Sequence, residues 1–207
     1  MRLIETADDL AEGAAWLAQA CPVWAQVLPE LGPLPLRRRE DGFSAICDAI
    51  VSQQISTHAA AAIAGRMVDA GMTSEAAIAD AEEAALQACG LSRPKIRYLR
   101  AIAEARVDWV ALRDMPDDQA IKALVALPGI GPWTAEIYLK FALGRPDVLA
   151  AGDLALQESA RVMYGLADRP TPAQLIAMAE PWRPWRAVAA RGLWAYYRLA
   201  KGREGVR

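Results

Sequence analysis

Histidine and cysteine, on which much enzyme chemistry depends, are nearly missing from this sequence of 207 residues. The single histidine, His58, could serve only one Ser-His-Asp triad, and it excludes a metal centre built from several histidines. The three cysteines, Cys21, Cys47 and Cys89, are far apart and form no Cys-x-x-Cys pair. This spacing argues against a disulfide framework, a zinc site and an iron–sulfur cluster.

Long apolar runs and strand-forming residues are also scarce. No stretch approaches 18 uninterrupted apolar residues, and the N-terminus MRLIETADDL lacks the features of a signal peptide. We therefore expect a soluble, cytoplasmic protein with no membrane partner. A monomer is the default expectation. Val, Ile and Thr together account for 28 of the 207 residues, whereas the long segments are rich in Ala, Leu, Glu and Arg. This balance predicts an all-α protein of about ten helices.

The net charge of −2 gives no support to nucleic-acid binding, but the distribution of charge does. Residues 178–207 contain seven basic and two acidic side chains, and a second basic stretch lies within residues 93–100. Such clusters are often solvated helix faces. They are also typical of surfaces that meet the phosphates of a nucleic acid.

The most informative segment is ALPGIGPWTAEIYLKFALGRPDVLAAGDLALQ, residues 126–157. A helix over 117–126 leads into a glycine turn, and Pro132 is suited to begin the next helix, predicted over 132–143. The amides of Gly129, Ile130 and Gly131, near the start of that helix, could hold a phosphate, and Thr134 could add a hydroxyl donor. The alternative is an ordinary connection between two helices.

Three further segments accompany this motif: FSAICDAIVSQQIS (43–56), LQACGLSRPKIRYLRAIAEA (86–105) and PWRPWRAVAARGLWAYYR (181–198). Together they resemble the helix-hairpin-helix (HhH-GPD) DNA glycosylases, in particular a compact form of the 3-methyladenine DNA glycosylase II branch. The resemblance covers nearly everything after residue 40. It implies a two-lobed helical fold, with residues 41–140 as a central lobe that includes the hairpin at about 117–140. Residues 1–40 and 141–207 would form the second lobe.

The resemblance also implies an activity. Such enzymes flip a damaged nucleotide out of double-stranded DNA and hydrolyse the N-glycosidic bond of alkylated purines such as 3-methyladenine and 7-methylguanine. They need no cofactor for this reaction. Bifunctional relatives place a lysine nucleophile just after the hairpin, where this chain has Trp133, so we expect a monofunctional enzyme. The alternatives are a glycosylase for oxidised or mismatched bases and a non-catalytic helix-hairpin-helix module that binds DNA.

Carried over by position, the family's essential aspartate falls on Asp153, which on its own would be interpreted as the cap of a helix over 154–164. Trp133 and Trp194 correspond to aromatic residues of the base pocket. Larger alkylation-repair relatives have a pocket tyrosine at the position of Ile137, and here Tyr138 lies beside it. Each of these aromatic residues could instead belong to the core.

Two more features follow from the resemblance. Gln53 and Gln54 correspond to the region that fills the gap left by the flipped base, or they simply end a helix as exposed residues. The hairpin of the family holds a monovalent cation, Na⁺ or K⁺, through backbone carbonyls, here those of Val125, Leu127 and Gly129. Members with an iron–sulfur cluster have four C-terminal cysteines, and this chain has no cysteine after Cys89, so no cluster is expected.

Overall fold

The computed structural model describes residues 2–201, and within them every regular element is helical. Residues 1 and 202–207, including Arg203 and Arg207 of the basic C-terminal stretch, lie outside the described residues, as does the side chain of Lys201. In chain order the elements are α1 (Ala7–Ala20), α2 (Pro22–Leu31), α3 (Phe43–Ser52), α4 (Thr57–Asp69), α5 (Glu75–Asp80), α6 (Glu83–Ala88), α7 (Arg93–Glu104), α8 (Trp109–Asp114), α9 (Asp117–Val125), α10 (Pro132–Phe141), α11 (Leu154–Met163), α12 (Pro172–Met178), a 3-10 turn (Glu180–Trp182) and α13 (Arg186–Lys201). The predicted all-α fold is confirmed for residues 2–201.

Local sequence signals explain where several helices begin. The side chain of Thr6 accepts a hydrogen bond from Asp9 N while the Asp9 carboxylate accepts from Thr6 N, a reciprocal cap that starts α1. Proline occupies the first position of α2 and α10, where its missing N–H costs nothing. The described residues contain thirteen α-helices, more than the ten or so predicted. One of the additional helices is α8, which spans only six residues and is capped by Asp108.

The chain divides into two compact units. Unit 1 comprises Met1–Arg38 and Leu139–Arg207, and unit 2 comprises Arg39–Tyr138. The division falls within α10, so the hairpin belongs to unit 2 and the Asp153 segment belongs to unit 1. No helix within residues 2–201 is long and apolar enough to cross a membrane.

The core of unit 2 is organised around α7. This helix buries Ile96, Leu99 and Ile102 at a spacing of three residues, so one stripe faces inward. Helices α3, α5 and α6 pack against α7. Residues of α7 outside this buried stripe can contact other segments of unit 2.

The core of unit 1 is organised around α13, which packs against α1, α2 and α11. Two glycines allow these helices to approach closely. A Cβ atom added at Gly13 would lie 2.7 Å from Val188 Cγ2, and one added at Gly192 would lie 2.6 Å from Trp24 Cζ3. The indole of Trp24 also meets that of Trp182 edge to face, with ring centres 5.6 Å apart. Unit 1 is therefore a tightly packed aromatic core.

Candidate DNA-binding hairpin and catalytic aspartate

The hairpin between α9 and α10 is a turn of residues 126–131 that depends on Gly129. This residue has a φ of +81°, a conformation that favours glycine. A Cβ atom here would also lie 2.5 Å from Cδ2 of Tyr98 on α7. Gly129 therefore sets the course of the turn and lets the ring of Tyr98 pack directly against it.

Gly131 serves a different purpose. It is exposed, its φ lies outside the left-handed region, and an added Cβ would meet no atom within 4 Å. It directly precedes α10, and the first amides of a helix have no partner within that helix. The missing side chain thus leaves open space beside the positive end of a ten-residue helix, where an anion can approach the backbone.

Two hairpin side chains are less accessible to a phosphate than the sequence predicted. Ile130 and Thr134 are each only 5% exposed. The Ile130 side chain is therefore buried, and Thr134 is too little exposed to present its hydroxyl at the surface as a donor. Any contact of this turn with a phosphate therefore depends on the backbone amides.

The two glutamines that follow α3 have different environments. The Gln53 side-chain amide donates a hydrogen bond to the carbonyl oxygen of Gly129 at 2.9 Å. Gln54 is exposed and has a φ of +58°. A non-glycine residue in this conformation costs about 1–3 kcal/mol and persists only where its surroundings enforce it. Gln53 is thus tied to the hairpin, and Gln54 is the residue held outward.

Lys95 on α7 is a functional candidate that the sequence analysis missed. Its ammonium donates hydrogen bonds to the carbonyl oxygens of Val51 at 2.7 Å and Gln53 at 2.9 Å, at the end of α3. Burial lowers the pKa of Lys95. No local pattern could have revealed these contacts, because the partners are more than 40 residues away along the chain.

The carbonyls predicted to hold a cation lie at the end of α9 and in this turn. The oxygen of Leu127 accepts from Ile130 N at 3.2 Å, and that of Gly129 accepts from Gln53. A carbonyl oxygen has two lone pairs, so each of them keeps one for a metal ion. With the Val125 carbonyl at the end of α9, these are oxygen ligands, the kind that a hard cation takes.

The aromatic residues of α10 differ in exposure. Trp133, in the first turn, is 42% exposed. Tyr138 is 4% exposed, accepts a hydrogen bond from Gly42 N at 2.9 Å and contacts the ring of Trp109. Burial raises the pKa of Tyr138 to about 12. Trp133 is therefore partly open to solvent, whereas Tyr138 supports the helix from the core.

Asp153 caps α11. One carboxylate oxygen, Oδ1, accepts hydrogen bonds from Ala155 N at 2.8 Å and Leu156 N at 3.1 Å. The side chain is half-buried. The cap predicted from the sequence is present, and it fixes the orientation of the carboxylate.

Buried side chains hold the loop that leads to Asp153. The Lys140 ammonium donates to the Leu149 carbonyl at 3.0 Å, and the Gln157 amide donates to the Ala151 carbonyl at 2.8 Å. Between these two points Ala150 has a φ of +60°, a conformation unusual for alanine. Lys140 is fully buried and Gln157 is 5% exposed, so both bonds are shielded from water. The loop before Asp153 is therefore rigidly supported.

Trp194 on α13 lies in a stack of rings and cations in unit 1. Its ring packs on Phe141 with centres 5.8 Å apart, and the Lys140 ammonium lies 4.5 Å from the ring centre. The Arg191 guanidinium lies over the Phe141 ring, 4.7 Å from its centre. Trp194 is 9% exposed, and its buried Nε1 has no hydrogen-bond partner among the described residues.

Comparison with known proteins places these features in a family. Residues 47–184 match the family model described as the HhH-GPD superfamily base excision DNA repair protein. DNA-3-methyladenine glycosylase 1 of Schizosaccharomyces pombe is 29% identical over 196 residues, which cover 89% of this chain and 86% of that protein.

Two solved structures are similar over most of their length. The DNA-3-methyladenine glycosidase of Bacillus halodurans is 33% identical with a TM-score of 0.81, covering 90% of this chain and 89% of that one. The 3-methyladenine DNA glycosylase of Schizosaccharomyces pombe in complex with abasic DNA is 28% identical with a TM-score of 0.76, covering 92% and 97%. The resemblance drawn from the sequence is confirmed, and the chain belongs to the HhH-GPD superfamily of base excision DNA repair proteins.

Proposed function

We propose that this protein is a monofunctional DNA glycosylase that removes alkylated purines, of the 3-methyladenine and 7-methylguanine type, from double-stranded DNA. The proposal is supported by relatives named for this activity that match nearly the full chain. The observation that carries the choice of reaction is the exposed indole of Trp133 directly after the hairpin, where an amine nucleophile would otherwise stand. We further propose that the enzyme acts as a cytoplasmic monomer.

DNA binding is assigned to two segments of unit 2. The amides around Gly131 bind a backbone phosphate, because this glycine leaves space for the phosphate to reach them. Gln54, exposed and held in its left-handed conformation, fills the gap that the flipped base leaves in the duplex. The carbonyls of Val125, Leu127 and Gly129 would hold a Na⁺ or K⁺ ion, which supplies additional positive charge beside the phosphate.

Recognition of the base is assigned to aromatic side chains. Alkylation at N3 or N7 gives a purine a positive charge, which the face of an indole attracts with about 0.5–2 kcal/mol. Trp133, which is partly exposed, supplies this indole face. The Trp194 ring is covered by Phe141 and Lys140, so we assign to it only its indole N–H, which has no hydrogen-bond partner among the described residues. Tyr138 is assigned the support of α10 from the core of unit 2.

The chemical step is assigned to Asp153. As the glycosidic bond breaks, its electron pair leaves with the base and the sugar carbon C1′ becomes positively charged. The Asp153 carboxylate stabilises this charge and orients a water molecule, whose oxygen bonds to C1′ and whose proton passes to the carboxylate or to solvent. The products are the free base and an intact abasic site.

The decisive experiment is to incubate the purified protein with methylated duplex DNA and to identify released bases by chromatography. We expect 3-methyladenine and 7-methylguanine in the supernatant and no strand break before alkaline treatment. Release of 8-oxoguanine or of a mismatched base instead would support the first alternative. Binding to DNA without release of any base would support a non-catalytic module.

A further inference from the structure

We infer that Lys95 is a positioning residue for base flipping. It holds the Gln53–Gln54 segment rigidly against the hairpin, the two segments proposed to contact DNA. The inference rests on the proposed function, since it concerns the step in which the damaged nucleotide leaves the duplex. It assigns no contact with substrate to Lys95 itself.

The contacts of Lys95 complete the end of α3. The last carbonyls of a helix have no partner within the helix, and α3 has no basic residue in its last turn. The ammonium of Lys95, from α7, supplies the missing donor and a favourable positive charge for the carbonyls of Val51 and Gln53. Lys95 thus caps a helix that is distant in sequence.

Gln53 continues this link to the hairpin. Its main-chain oxygen accepts from Lys95, and its side-chain amide donates to the carbonyl of Gly129. Tyr98, three residues after Lys95 and on the same side of α7, packs against Gly129. One face of α7 therefore holds both the end of α3 and the turn of the hairpin.

This link explains how Gln54 stays in a left-handed conformation. The residue directly before it is fixed at both its main chain and its side chain. Without Lys95, the end of α3 loses its cap and Gln54 can relax to a more common backbone conformation. The glutamine would then fill the gap in the duplex less effectively, and the flipped state would be less populated.

A direct role of Lys95 in binding phosphate is disfavoured by its surroundings. The side chain is half-buried, and its ammonium already donates to two carbonyl oxygens. Burial also disfavours its charged form. These are the surroundings of a structural link inside the protein.

The test compares Lys95→Met with Lys95→Arg on two substrates that carry the same damaged base, one fully paired and one in a single-nucleotide bulge. We expect Lys95→Met to lower kcat on the paired duplex about tenfold, the size expected for lost hydrogen bonds to a charged donor, with KM changed less than about twofold. On the bulge, where little unpairing is needed, the loss should shrink to less than about twofold. Lys95→Arg should restore most of the activity.

Two further variants complete the design. Gln53→Ala removes the bond to Gly129 but keeps the Lys95 cap, and we expect the same selective loss on the paired duplex. Arg66→Met is the matched control, because Arg66 also donates to a backbone carbonyl of unit 2, that of Cys89 at 2.8 Å, but lies outside this link. It should affect both substrates equally and weakly.

Equal losses of kcat on paired and bulged DNA in Lys95→Met would overturn the inference. A higher KM for Lys95→Met, together with a weaker dependence of DNA binding on salt, would also overturn it, because that result indicates a contact between Lys95 and a phosphate. Fluorescence of 2-aminopurine placed opposite or beside the lesion reports flipping without catalysis. If the unaltered protein releases no base, the proposed function fails, and this fluorescence still decides whether Lys95 supports flipping.

Discussion

At the scale of single residues, Asp153 has a structural role as the cap of α11 and a proposed catalytic role. Its Oδ1 caps α11 through two backbone amides, and this cap orients the carboxylate proposed to act on the sugar. Asparagine retains an oxygen at the same place but lacks the negative charge. The two tasks are therefore separable by mutation.

Replacing Asp153 by Asn should lower the single-turnover rate of excision of a neutral base about 100-fold or more, because the charge that stabilises the transition state is lost. The free energy of unfolding should change by less than about 0.5 kcal/mol, since Asn caps helices nearly as well as Asp. Asp153→Ala, in contrast, should also cost about 1 kcal/mol of stability through the lost cap. Near-normal excision by Asp153→Asn would exclude the proposed role.

Trp133 offers a second prediction at this scale. Because its ring is 42% exposed, Trp133→Ala should barely change the thermal unfolding temperature. It should weaken binding of DNA that contains a cationic alkylated purine about two- to thirty-fold, the range of one cation–π contact. Titration by fluorescence anisotropy measures this change. Trp182→Ala is a useful contrast, because that indole is buried and its loss should reduce stability by about 3–5 kcal/mol.

Sequence alone could not distinguish these roles of the aromatic residues. Trp133 and Tyr138 lie five residues apart on one helix, yet Trp133 is exposed and Tyr138 is buried against Gly42 and Trp109. Exposure of an aromatic on a helix depends on tertiary neighbours that no local pattern encodes. The family resemblance made these residues candidates, whereas their accessibility could not be predicted from it.

At the scale of elements, the hairpin contains two glycines with opposite physical requirements. Position 129 requires glycine because its φ is positive and because the ring of Tyr98 occupies the place of a Cβ atom. Neither constraint applies at Gly131. A side chain at Gly131 can be accommodated by the protein and interferes only with what approaches from outside. This difference gives a test that separates folding from binding.

Gly131→Leu should weaken affinity for damaged and undamaged DNA alike, about tenfold or more, because the side chain keeps a phosphate away from the amides. Stability should be unchanged by calorimetry, whereas Gly129→Ala should destabilise unit 2 by more than about 1 kcal/mol through its backbone and the contact with Tyr98. Affinity of the unaltered protein should fall steeply with salt. An unchanged affinity in Gly131→Leu would contradict the hairpin as a phosphate site.

Most elements were predictable because their signals are local. The predicted helix over 117–126 corresponds to α9 (Asp117–Val125), and Pro132 begins α10 as expected. The six-residue helix α8 was missed although it has a local signal in its cap, Asp108. The link through Lys95 could not be predicted, since it joins residues that only the tertiary fold brings together.

At the scale of the whole molecule, the distribution of lysines bears on the type of reaction. The sequence has four: Lys95, Lys122, Lys140 and Lys201. Lys95 is bound to two carbonyls, and Lys140 is fully buried and donates to the Leu149 carbonyl. Lys122 is exposed and lies 3.8 Å from Asp118. None of these amines occupies the position of Trp133.

We therefore expect borohydride to trap no covalent complex between the protein and damaged DNA, because trapping requires an amine that attacks C1′ and forms a Schiff base. Denaturing gel electrophoresis measures the adduct, with a bifunctional glycosylase as the positive control. Efficient trapping would contradict a monofunctional mechanism. Lys140→Met would then be the first variant to examine.

The discontinuous course of the chain through unit 1 has a consequence for its biosynthesis. Unit 2 is one uninterrupted stretch, whereas unit 1 joins two segments that unit 2 separates in sequence. On the ribosome, α1 and α2 emerge long before α13, so their apolar residues, among them Trp24, cannot pack against α13 until unit 2 has been synthesised. Since domains generally fold as units during synthesis, unit 2 should fold first. The N-terminal helices then have each other as packing partners, but lack α13, while unit 2 is being synthesised.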